Sequence, residues 1–199
     1  GYWLSGQTLG IVGFGNIGRE VAKLATVFDL KLIAADPYAD PAAAAALGVE
    51  LVDIDTLMRR SDYVAITCAL TAETRGMISR ERLAMMKPTA FLINAARGPI
   101  VDQDALYDTL RGRRIRGAAT DVFAVEPIDP ADRLLTLDNL IVAPHALCWT
   151  EEWAYITGQS VMRNVIRVKR GEVPEHVVNR DVLEKPLFRQ KLAAYAARG

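Results

Sequence analysis

Leu9-Gly10-Ile11-Val12-Gly13-Phe14-Gly15-Asn16-Ile17-Gly18 runs from a short apolar stretch into glycines spaced G-x-G-x-x-G. Thr8–Val12 has the length and character of a buried strand. Residues 16–28 follow with Ile17, Val21, Leu24 and Phe28 at helical spacing, predicting a helix with that apolar face inward. Glycines between a strand and a helix make a tight turn. Gly13 permits the turn, Gly15 lets an anionic group approach the backbone, and Gly18 lets the helix lie close on the sheet. The amides of Asn16 and Ile17, at the positive end of the helix, suit phosphate oxygens.

Outward from that turn the same alternation repeats. Lys31–Ala35 reads as the next strand, stopped by Asp36-Pro37. Further strands are predicted at 63–67, 90–94, 117–122 and 140–143. Helices are predicted at 41–47, 55–60, 80–86 and 104–110, the last capped by Asp102. Nearly continuous apolar strands alternating with helices describe a doubly wound parallel sheet, the Rossmann fold of the α/β class, over residues 1–150. Asp36 ends the second strand, where a carboxylate accepts from both hydroxyls of an adenosine ribose and repels a 2′-phosphate. With no arginine after it, NAD is favoured over NADP. A glycine turn with a helix-capping aspartate is the plain structural alternative.

After His145 the pattern changes. Residues 151–170 read as one long helix with Ala154, Gly158, Val161, Val165 and Val168 on one face and Gly171 as its stop. A short apolar helix carrying Leu187, Phe188, Leu192 and Tyr195 follows, with no evident sheet to cover.

The bulk composition is that of a soluble globular chain: 199 residues, 51% hydrophobic, 24% charged, zero formal net charge. No apolar run approaches a membrane span, and no signal peptide is legible. Residues 163–199 hold nine Lys/Arg and four Asp/Glu, a net of +5. Aliphatic residues rather than stacking aromatics interleave them, which describes a solvated helix face and not a nucleic-acid site. The two cysteines, Cys68 and Cys148, form no CxxC and no metal-type cluster with the two histidines, and read as buried free thiols of a reducing cytoplasm.

Three further strand ends carry reactive side chains. Asn94-Ala95-Ala96-Arg97-Gly98 closes one, Asp121-Val122-Phe123 leads from another into Glu126-Pro127, and Ala143-Pro144 leads into His145. Ligands of a doubly wound sheet lie beyond the carboxyl ends of its strands, so all three face the crevice of the glycine turn. An arginine for an acid group, and a histidine near neutral pKa, suit hydride and proton transfer to a carboxylate-bearing ketone. His176, in a polar stretch, reads as a surface residue.

In combination these motifs resemble the D-isomer-specific 2-hydroxyacid dehydrogenases, the family of phosphoglycerate dehydrogenase and glyoxylate/hydroxypyruvate reductase. The resemblance spans Leu9 to His145. It implies that Arg97 holds the substrate carboxylate, that His145 is the acid/base, and that Glu126 orients it. It implies an NAD site built from Gly13, Gly15, Asn16, Ile17, Gly18, Asp36, Thr67, Cys68, Ala95, Ala96, Arg97, Asp121 and His145, with Asp121 on the nicotinamide amide, and no metal. It also implies a small 2-oxo or 2-hydroxy acid as substrate, a homodimer, and neither a nucleic-acid nor a membrane partner. Glu126 rather than glutamine argues against the formate dehydrogenase branch.

Two segments depart from the pattern. Thr67-Cys68-Ala69-Leu70 stands where many relatives have His-x-Pro-Leu, closer to the glyoxylate reductase branch, and Ala146-Leu147-Cys148-Trp149 replaces small residues. Trp149, a large apolar residue opening a helix, reads as packing, with a place beside the substrate as the alternative. Residues 1–4 read as the end of a connecting segment, and 151–199 as the helical return to a substrate domain whose first part is not here. The chain alone is thus expected to bind NADH and to turn over poorly. The resemblance leaves a second class open: corepressors of the same fold, which bind NAD to control assembly.

Overall fold

The computed structural model describes residues 3–197; Gly1 and Tyr2 of the expected connecting segment, with Arg198 and Gly199, lie outside the described residues. The chain divides into a unit of residues 1–147 and a unit of residues 148–199.

The first unit is a parallel sheet with helices on both faces. In chain order its elements are β1 (Thr8–Val12), α1 (Asn16–Ala25), β2 (Lys31–Ala35), α2 (Pro41–Ala46), β3 (Val49–Leu51), α3 (Ile54–Arg60) and β4 (Tyr63–Ile66). Then come α4 (Arg80–Met85), β5 (Phe91–Asn94), α5 (Gln103–Arg111), β6 (Gly117–Thr120) and β7 (Leu140–Val142). Among the described residues the strands form one seven-stranded sheet in the order β3-β2-β1-β4-β5-β6-β7. Every pairing is parallel. The order in which strands are added reverses between β1 and β4, and a crevice opens there at the carboxyl edge.

Alternation along the strands creates two cores. Leu9, Ile11, Leu32, Ala34 and Val49 pack with Ala22 and Ala25 of α1 and Ala44 of α2. Val12, Ile33, Val64, Ile66 and Leu92 point the other way, onto Leu57, Leu83 and Leu106 of α3, α4 and α5. The register carries the row of Ile11 through Ala65, Ile93 and Ala119 to Ile141. That row is fully buried at Ile11 and 74% exposed at Ile141. Tyr63, Phe91, Ile93 and Ile141 line an apolar cleft of about 550 Å3 there.

The second unit holds α6 (Glu151–Lys169), capped by the Thr150 hydroxyl, and α7 (Pro186–Ala196). No residue of α6 is buried, so the face of Ala154, Gly158, Val161, Val165 and Val168 is not a packed one here; in α7 only Leu192 is buried.

Several expectations need correction. The buried face of α1 is Gly18, Ala22 and Ala25, whereas Ile17, Leu24 and Phe28 are exposed. The close approach at the glycine turn leaves room only for small side chains, and the large ones turn outward. The helix also ends at Ala25, residues 26–28 forming a separate 3-10 turn. Val49–Leu51 is a strand that three residues were too few to announce. Cys148 is exposed rather than buried, and Cys68 is half-buried. Trp149 is 68% exposed and so is not packed. Asp102 does cap α5, and His176 is exposed. Among the described residues no helix is long and apolar enough to cross a membrane.

Candidate active site

The glycine turn sits at the carboxyl end of β1, and its glycines answer to different constraints. Gly13 has φ +93°, and a Cβ there would meet Cys68 at 2.6 Å. A Cβ on Gly18 would lie 2.2 Å from the Gly13 carbonyl oxygen. Both are demanded by the chain itself. Around Gly15, in contrast, nothing lies within 4 Å of an added Cβ. The space over Gly15 and the start of α1, whose amides no side chain caps, matches a bound pyrophosphate. The residues present therefore fit the cofactor that the glycine pattern implies. A cleft of about 300 Å3, lined by Gly13, Gly15, Asp36, Tyr38, Thr67 and Cys68, continues from it.

Asp36 closes that cleft. Its carboxylate accepts from the Phe14 amide at 2.7 Å and from the Tyr38 amide at 2.8 Å. Each oxygen keeps a lone pair for a ribose hydroxyl. The Thr67 hydroxyl, placed in the NAD site by the resemblance, donates to the Gly13 carbonyl at 2.6 Å and ties the end of β4 to the turn. Burial, reinforced by the charge of Asp36, pushes the Cys68 thiol up, away from thiolate chemistry. Asn16 accepts from Arg19 through its side chain, and Ile17 lies exposed on the first turn.

The β5 end is shaped by Asn94, which is buried. Its side chain accepts from the Ala96 amide and donates to the Arg97 carbonyl, both at 3.1 Å, curling residues 94–97 into a tight loop. The Arg97 guanidinium, exposed, donates to the Ala96 carbonyl at 2.6 Å. The next residue is Gly98, where a Cβ would fall 1.9 Å from the carbonyl group of Phe123. The loops after β5 and β6 therefore touch, which brings Arg97 towards Glu126.

Glu126 and His145 form a pair. His145 Nδ1 lies 2.6 Å from Glu126 Oε2, and Glu126 Oε1 accepts from the Phe123 amide at 2.9 Å. An ionised carboxylate only accepts, so a neutral ring carries its proton on Nδ1 and leaves Nε2 free to exchange one. The two side chains stay 39 and 33% exposed, so the ring is reachable. Burial opposes ionisation of Glu126. The hydrogen bond from His145, the Phe123 amide and the charges of His145 and Arg97 outweigh it, holding the carboxyl below its ordinary value. Arg97, Glu126 and His145 are thus one electrostatic group.

His145 has φ 55°, in the left-handed region. Asp121, buried at the end of β6, accepts from the Ala146 amide at 3.0 Å and the Leu147 amide at 3.3 Å. The sequence reading placed these residues at one crevice but missed what holds them there: the two hydrogen bonds of Asn94, the Gly98 contact and the backbone bonds of Asp121. The buried polar residues at the ends of β5 and β6, Asn94 and Asp121, were the available signal. Ala95 and Ala96 lie on the Arg97 loop, exposed and half-buried. Among the described residues no group of three or more His, Cys, Asp or Glu is placed to hold a metal ion.

Comparison with known proteins places the chain in a family. Residues 1–146 match the model of the D-isomer specific 2-hydroxyacid dehydrogenase, NAD binding domain. The chain is 45% identical over 181 residues to D-3-phosphoglycerate dehydrogenase of Methanocaldococcus jannaschii, covering 90% of this chain and 34% of that protein. It is 44% identical over 184 residues to glyoxylate reductase of Korarchaeum cryptofilum, covering 92 and 55%. The structure of D-lactate dehydrogenase with NAD+ from Lactobacillus jensenii superposes with a TM-score of 0.78 at 31% identity, over 87% of this chain and 56% of that one. The chain thus spans between a third and just over half of these proteins.

Proposed function

The chain belongs to the D-isomer specific 2-hydroxyacid dehydrogenase family and carries its NAD-binding domain, and from that premise we propose that it serves an oxidoreductase acting between a D-2-hydroxy acid and its 2-oxo acid. The observation that carries the reading is the 2.6 Å His145–Glu126 pair within the field of Arg97. NAD, when bound, supplies the hydride chemistry. Arg97 binds the substrate carboxylate and turns the carbonyl towards the crevice, as a planar guanidinium suits a carboxylate. His145 gives its Nε2 proton to the carbonyl oxygen in reduction and takes it from the hydroxyl in oxidation. Glu126 keeps the ring oriented through Nδ1 and stabilises its charged form.

The grip on the cofactor falls to the 13–18 turn, with Asn16 and Ile17 amides for phosphate and Asp36 for the adenosine ribose. Thr67, Cys68, Ala95, Ala96 and Asp121 line its remaining length. Residues 151–199 are read as the return to the substrate domain. We further read the protein as a cytoplasmic homodimer; the apolar row ending at Ile141 supports the self-association.

The test is His145→Asn in the full-length protein, since asparagine accepts the left-handed backbone at this position. NADH binding, followed by fluorescence, is expected to persist while reduction of glyoxylate or hydroxypyruvate falls by at least about a hundredfold, the scale of a lost general acid. Unchanged turnover refutes the assignment.

A further inference from the structure

We infer that Asp121 is a positioning residue for the acid/base pair: its buried carboxylate fixes the chain just beyond His145 and thereby aims the imidazole at Glu126. The inference rests on the assignment of His145 as the acid/base. The last rung of the sheet before His145 is the Ala143 amide donating to the Thr120 carbonyl at 3.0 Å. Beyond it the chain leaves β7 through Pro144, and His145 takes φ 55°. A left-handed residue other than glycine costs about 1–2 kcal/mol, so the surroundings must impose it.

The next backbone bonds along the chain are the Ala146 and Leu147 amides, and both end on Asp121. His145 is thus held between a sheet rung on one side and a carboxylate clamp on the other. The clamp is itself rigid. Asp121 is 5% exposed, and its own amide donates to the Asn94 carbonyl at 3.0 Å. A buried carboxylate is costly unless hydrogen-bonded, which fixes its orientation against those two amides. Asparagine in its place offers one oxygen and an NH2 group, so one loop amide would lose its acceptor. Each Asp121 oxygen keeps a second lone pair, so the clamp is compatible with a contact to the nicotinamide amide. The clamp operates without ligand, and its test needs none.

The experiment follows the histidine rings of the 15N-labelled chain by NMR. There are only two histidines, and H176Q identifies the signal of the exposed His176. In the unmodified chain His145 is expected to hold the Nδ1–H tautomer, and the Ala146 and Leu147 amides to exchange slowly. In D121N, with far-UV circular dichroism unchanged, His145 is expected to drift to the mixed tautomers of His176. Protection of the two amides is expected to fall at least about tenfold, the weight of one hydrogen bond to a charged acceptor. A folded D121N chain that keeps the wild-type tautomer overturns the proposal. If D121N does not fold, exchange in the unmodified chain still decides: fast Ala146 and Leu147 amides overturn the clamp and slow ones support it. E126Q separates the two levels. Should E126Q leave the ring tautomer unchanged, the acid/base pair itself fails; should only D121N leave it unchanged, the clamp alone fails.

Discussion

Replacing Gly98 by alanine tests how the proposed catalytic group is assembled. The added Cβ would stand 1.9 Å from both atoms of the Phe123 carbonyl, where side-chain carbons essentially never come within 3.0 Å. The obstacle is backbone and cannot swing aside, so the two loops must part by about 1 Å. Overpacking of this kind costs roughly 1–3 kcal/mol, and each kcal/mol lowers the melting temperature of a chain this size by about 2–4 °C. The functional cost is steeper, because Arg97 precedes Gly98 and the Phe123 amide holds Glu126. A displacement of about 1 Å between reacting groups is worth on the order of a hundredfold in rate. The assays are calorimetry on the chain, NADH fluorescence titration, and kcat/KM for a 2-oxo acid in the full-length protein. Expected are a fall of several degrees in Tm, kcat/KM lowered about a hundredfold, and a much smaller loss of NADH affinity, since only Ala95 and Ala96 of the proposed cofactor lining sit on the displaced loop. Wild-type Tm together with wild-type kcat/KM would refute the claim that the two loops depend on that missing side chain.

The glycine turn makes an opposed pair of predictions. Gly15→Ala should leave Tm unchanged and weaken NADH binding by about tenfold or more, whereas Gly18→Ala should lower Tm because of the 2.2 Å contact; equal effects on both measures would refute the division of labour. Glu126 predicts an acid limb. With a carboxyl held below its ordinary 4.5, its contribution to the pair is fully present above that value and is lost as pH falls through the lower folded value. NMR of the His145 ring against pH should show that limb, and E126Q should lack it. Finally, Ile141→Asp should shift the chain towards monomer in sedimentation without loss of NADH binding; a wild-type chain that is monomeric at high concentration refutes the dimer.

Much of this architecture was legible because hydrophobic period and strand-end position are local signals. β1, β2 and the reactive residues beyond β5, β6 and β7 could be placed from runs of ten residues or fewer. The face of α1 was misread because periodicity weighs large apolar residues, while the approach dictated by the glycine turn admits only Gly18, Ala22 and Ala25. β3 was missed because three residues, Val49–Leu51, carry too little pattern. What binds the site together was illegible for a different reason. Gly98 against Phe123, and the Asp121 carboxylate against the Ala146 and Leu147 amides, join segments some 25 residues apart, and one side of each contact is backbone that every residue type shares. The left-handed His145 has no sequence mark at all, since its cause lies on another strand.

The unequal duties of the three glycines have an evolutionary consequence. Gly13 and Gly18 are kept by the chain's own contacts, while the space over Gly15 meets no protein atom. A descendant that ceased to use its nucleotide would stay under selection at the first and third positions merely to remain folded. Its second glycine would be released. The order in which such a lineage decays is therefore written into the turn: the second glycine goes first, the outer two last.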